Sequence, residues 1–217
     1  MTRADDHARL IGRLAQDLQP VGRLAPPGQR ALTWLAIAVA LGLLLATLAQ
    51  PGALLQRMAM RPEIGVAMLG SALTAALAAW AAFLAAVPGR DARWGLLPLP
   101  GLLLWVAASG LGCLGQSLGP AAPPASLDQA VMECVPFIAM VSLPLSLAIG
   151  LMLRRGFSTR PGQTGLLAGL AVAAAAATLL NFFHPFDVTA IDLLAHGVSV
   201  GLIALGGGVF GRWLGWR

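Results

Sequence analysis

Charge is scarce in this chain. Of its 217 residues only 11% are Asp, Glu, Lys or Arg, against 58% hydrophobic, and the mean hydropathy is +0.78. So little charge cannot cover a soluble globule of this size, which leaves a polytopic membrane protein. Lysine is missing altogether, so all 14 basic residues are arginine. A pI near 11.2 would suit a nucleic-acid binder. The arginines, however, fall mostly in short segments between apolar runs, which is a topology signal, and no direct nucleic-acid contact is expected. Catalytic signatures are missing too: there is no Gly-x-Ser-x-Gly, His-Glu-x-x-His or phosphate loop, and the two cysteines do not form a Cys-x-x-Cys. The expectation is a non-enzyme without a cofactor. Charged residues are nearly absent from the apolar runs, which argues against a pump or coupled transporter. The start lacks the signal-peptide order of basic region, apolar run and small-residue cleavage site, so the N-terminal segment is expected to be retained.

Six apolar runs are present, near 31–49, 64–87, 95–112, 133–153, 165–183 and 192–211. Each approaches the ~20 residues that a helix needs to cross the hydrocarbon core. Gln50-Pro51-Gly52, Val87-Pro88-Gly89-Arg90, the Gly/Pro/Ala/Ser-rich 115–126, Arg154-Arg155-Gly156 and His184-Pro185 separate them. The run carrying Pro98 and Pro100 is the least regular. The expected fold is all-α, a six-transmembrane-helix bundle (31–211) with a short cytoplasmic N-terminal arm (1–30) and a cytoplasmic tail (212–217). With the N-terminus inside, Arg3, Arg9, Arg13, Arg23, Arg30, Arg90, Arg93, Arg154, Arg155, Arg160, Arg212 and Arg217 are cytoplasmic and only Arg57 and Arg61 are outside. This strong bias puts both termini in the cytoplasm of a bacterial inner membrane. Asp128, Glu133, Asp187 and Asp192 fall on or near the outer side. Trp34, Trp94, Trp213 and Trp216 sit near cytoplasmic ends, where interfacial anchors belong.

In the arm, Leu10, Ile11, Leu14 and Leu18 recur at i, i+1, i+4, i+8, one stripe of a helix, while Arg9, Arg13, Gln16 and Asp17 lie away from it. Thr2 or Asp5 can cap its start and Pro20 stops it. A helix of about 15 residues is marginal alone in water, so it needs a surface. That surface is either a partner or the protein's own membrane domain and the lipid headgroups.

Small residues four apart at Gly165/Gly169, Gly197/Gly201 and Gly207/Gly211 predict close helix approach within the bundle. At the outer face the runs place Cys113, Cys134, His184 and His196, with Glu133, Asp187 and Asp192 at the same level. Thiols, imidazoles and carboxylates are donors for a soft or borderline metal, although the spacing matches no zinc-finger pattern. Three readings of the cysteines stand. They form a structural disulfide closing a loop of about 20 residues, worth ~3 kcal/mol; or they are free thiols sensing metal or oxidant; or they are small buried residues. For the histidines, a hydrogen-bonded helix-end residue stands beside a ligand.

Three features together resemble the NrsF-like family of integral-membrane anti-sigma factors. One is Leu10-Ile11-x-x-Leu14-x-x-Asp17 followed by Pro20-Val21-x-Arg23-Leu24-x-Pro26-Pro27; the second is Cys113 and Cys134 around the loop between the third and fourth runs; the third is His184-Pro185-x-Asp187 with His196 after it. The resemblance implies six spans and an extracytoplasmic-function sigma factor as cytoplasmic partner, held by the arm until an envelope signal releases it. It further implies that Cys113 and Cys134 take part in signal perception, with His184, Asp187 and His196 beside them. On this reading Leu10, Ile11, Leu14 and Leu18 fill an apolar groove of the partner, with Arg9, Arg13, Asp17, Pro20 and Arg23 around them. A small transporter or channel-like protein, its arm an interfacial anchor, is the alternative. A membrane enzyme using His184, Asp187 and His196 with a metal is a third.

Overall fold

The computed structural model describes residues 3–16, 22–48, 51–118, 127–156, 158–183 and 190–214. All regular structure among them is helical: α1 (Arg3–Gln16), α2 (Pro27–Ala46), α3 (Pro51–Met60), α4 (Pro62–Ala85), a 3₁₀ turn (Ala92–Leu96), α5 (Leu99–Leu118), α6 (Leu127–Leu153), α7 (Pro161–Leu180) and α8 (Ala190–Leu214). Proline opens α2, α3, α4 and α7, where its missing N–H costs nothing because the first N–H groups of a helix have no partner within it.

Among the described residues five helical segments are long and apolar enough to cross a membrane: Pro27–Ala46, Pro62–Ala85, Ala92–Gly115, Pro136–Leu153 and Pro161–Leu180. Pro98 precedes α5 and Pro100 sits in its first turn, so these prolines start that helix instead of interrupting it. Pro136 and Pro144 do lie inside α6. The structure adds α3, ten residues that the hydropathy pattern does not mark.

α4 and α7 are the central pair. α5 flanks α4, α8 flanks α7, and α2 and α6 cover the remaining sides. The core between the central helices is alanine, with Ala75, Ala78, Ala79 and Ala82 of α4 against the alanine run of α7. Lipid gives no hydrophobic drive for helices to associate, so small side chains that let backbones approach, plus a few hydroxyl bonds, hold them. Ser71 and Thr178 hydroxyls are 2.8 Å apart across α4 and α7. Ser158 meets the Thr164 hydroxyl at 2.8 Å and donates to the Ala85 carbonyl at 3.2 Å.

The glycine pairs divide into two kinds. A methyl group on Gly165 would collide with the carbonyl of Gly207, and one on Gly169 would lie 2.8 Å from Ala204 Cα, so these glycines let α7 and α8 touch backbone to backbone. Gly211 meets the Pro161 carbonyl in the same seam. Gly197 and Gly201 are different, because nothing lies within 4 Å of where their Cβ would be. The expected packing role holds for the first two pairs and fails for this one.

Trp34 also departs from expectation. It is fully buried, and its indole N–H donates to the Leu145 carbonyl at 3.1 Å, tying α2 to α6. Its neighbours are protein, so it is a core residue and not an interfacial anchor. Trp94 and Trp213 are exposed, and Trp216 lies outside the described residues.

Candidate functional site

Chemistry-bearing residues collect at three places. The first is α1, which is described from Arg3, so Asp5 falls in its first turn and Thr2, the other expected cap, lies outside the described residues. Leu10, Ile11 and Leu14 are 56%, 66% and 59% exposed, an uncovered apolar stripe. Arg9 lies 4.0 Å from Asp6 one turn away, an exposed pair of small energetic weight. Arg13 ends the helix on its favourable, C-terminal side. Arg23 is exposed in the extended segment leading to α2. Asp17, Leu18 and Pro20 lie outside the described residues.

The second place joins that segment to the bundle. Arg30, in the first turn of α2, is buried. Its guanidinium donates to the Met152 carbonyl at the end of α6 and lies 4.6 Å from the ring centroid of Phe83 in α4. One side chain thus binds the start of the first long apolar helix to two others. Such a guanidinium satisfies the Met152 carbonyl near the end of α6 and stacks on a ring face at once.

The third place is the opposite end, where α4, α5, α7 and α8 surround a cavity of about 400 Å³. Arg57, Arg61, Glu63, Asn181 and His196 lie at one end of its lining. Trp105, Leu102, Leu170 and Ala204 lie deeper, and Gly197 and Gly201 leave the α8 wall open. Arg57 Nη2 donates to the Asn181 carbonyl at 2.9 Å, while its buried Nε has no hydrogen-bond partner among the described residues. Arg61 and His196 each have an interaction of their own.

Cys113, partly buried on α5, borders a second, more open recess with Leu193, Leu194, Gly197 and Val198. It therefore faces the first turns of α8, whereas His196 lines the cavity described above. The side chain of Cys134, and His184 and Asp187, lie outside the described residues. Among the described residues no group of three His, Cys, Asp or Glu side chains could hold a metal ion.

The family model described as "Negative regulator of sigma F" matches residues 14–216. The chain belongs to the NrsF family. The match runs from Leu14 near the end of α1 through the last helix, so it includes all three places except the first turns of the arm. As an NrsF protein the chain is a negative regulator of a sigma factor, and a sigma factor is its partner. No curated protein and no solved structure matches it.

The cavity is the feature that the pattern of residues did not announce. Its signal was nonetheless present, since Arg57 and Arg61 are the two arginines that stand against the charge bias of the rest.

Proposed function

We propose that this NrsF protein is a six-span inner-membrane anti-sigma factor. It sequesters an extracytoplasmic-function sigma factor through the cytoplasmic arm and releases it on a redox or metal signal from the periplasm. The sixth span is α8, whose 25 residues lie along α7. The observation that carries the reading is the exposed stripe of Leu10, Ile11 and Leu14 on a helix too short to be stable unaided. Laying that stripe, with Leu18, into an apolar groove is the helix-in-groove mode of recognition, and a segment that orders on binding suits a partner that must be let go. Arg9, Arg13 and Arg23 pair with acidic groups at the groove's rim, and Asp17 and Pro20 belong to the same partner-binding segment. Cys113 and Cys134, with His184, Asp187 and His196 near them, form the sensing face at the far side of the membrane.

The test uses the full-length protein in detergent and the sigma factor it controls. Changing Leu10, Ile11 and Leu14 together to alanine should abolish capture of the sigma factor while leaving thermal unfolding of the bundle unchanged. Capture that survives the triple change disproves the groove.

A further inference from the structure

The cavity at the Arg57 end has the shape of an amphiphile. Along α7 its lining runs from Leu170 to Asn181, about 16 Å at 1.5 Å per residue. The deep end is Trp105, Leu170 and Ala204, and the other end carries Arg57 and Arg61. A volume of about 400 Å³ is at the lower end of the range for small-molecule sites, which suits one acyl chain and not two.

Two observations separate this space from a packing defect. Gly197 and Gly201 keep the α8 wall clear, with nothing within 4 Å of their Cβ positions, although Gly207 and Gly211 further along α8 are used for contact. Arg57 is also left incomplete: its Nη2 is committed to the Asn181 carbonyl, and its buried Nε has no partner among the described residues. A buried donor on a cation is costly to leave unmatched, and an anion is its best complement. Glu63 in the same lining offsets one positive charge, and with Arg57 and Arg61 the local balance remains cationic.

We propose that this cavity binds a single-chain anionic amphiphile, a carboxylate or phosphate headgroup on Arg57 with its acyl chain lying between α4, α5, α7 and α8. Arg61 adds positive potential at the mouth and Trp105 packs against the chain. The site is independent of the anti-sigma reading, because its test reads binding alone.

The test titrates full-length protein in a non-ionic detergent with dansyl-undecanoate. Saturable binding near one per protein is expected, displaced by laurate and by a single-chain lysophosphatidate. Dansyl-undecanoate methyl ester, which lacks the charge, should bind at least about tenfold more weakly, and Arg57→Gln should weaken the acid to a similar degree. Gly201→Leu, which fills the cavity without removing any polar group, should abolish binding while thermal unfolding still reports a folded bundle. Displacement by laurate alone identifies a free fatty acid as the source, and displacement by lysophosphatidate alone a lipid phosphate. Displacement by inorganic phosphate would mean an ion site without an acyl slot and would overturn the proposal. So would equal binding of acid and ester, or undiminished binding by a folded Gly201→Leu protein.

Discussion

The guanidinium of Arg30 sits 4.6 Å from the ring centroid of Phe83. Arg30 opens α2 directly after the extended segment that follows α1, and Phe83 is near the end of α4, whose start at Glu63 and Ile64 lines the cavity at the other end of the bundle. The arm is therefore tethered to a helix that runs the full depth of the molecule.

That tether is stabilising. Arg30→Ala loses the ring contact and the bond to Met152 together, and should cost about 2 kcal/mol. Arg30→Lys keeps a cation near the ring without the planar fork, and should lose less. Denaturant unfolding in detergent, followed by circular dichroism, measures both; equal stability of Arg30→Ala and the parent would mean that the contact is inert.

The two kinds of glycine should respond oppositely to a side chain. Gly165→Val forces α7 and α8 apart and should cost about 1–3 kcal/mol, the range for overpacking. Gly197→Ala, in open space on α8, should be neutral or gain up to ~1 kcal/mol from the lost flexibility of glycine. The same unfolding assay compares them, and a Gly165→Val protein as stable as Gly197→Ala would contradict the seam.

Perception by thiols predicts a clean loss. Cys113→Ser with Cys134→Ser should keep the sigma factor repressed but remove induction of a sigma-dependent reporter by cadmium or by a thiol oxidant. Induction that persists in the double variant removes the cysteines from the signal path.

Topology is checked by fusing a reporter active only in the periplasm after residues 60, 90, 125, 156 and 217. The positive-inside bias predicts activity after 60 and 125 and silence at the other three. An active fusion at 217 would mean an odd number of spans.

The helices were largely legible because a backbone in lipid must satisfy its hydrogen bonds internally, so an apolar run has helix as its main option. Hydropathy did not mark α3, because ten residues with Gln56, Arg57 and a proline start read as a loop. Trp34 was misread because proximity to a helix end says where along the membrane normal a residue lies, not whether lipid or protein faces it. Gly165 and Gly201 look alike in sequence, and only the position of α8 decides that one is a contact and the other a wall of empty space. The arm's stripe was readable from spacing alone. The cavity was not, since it is made of what four separate helices leave unfilled.

α7 has 72% of its span buried inside the protein, against 22% for α2. Much of what covers it is α8, which follows it in the chain. Because α8 follows α7 in the chain, the Gly165 and Gly169 notch of the central helix has no partner until α8 has been made. A chain cut between α7 and α8 would present that open notch to whatever surveys the membrane for unfinished proteins.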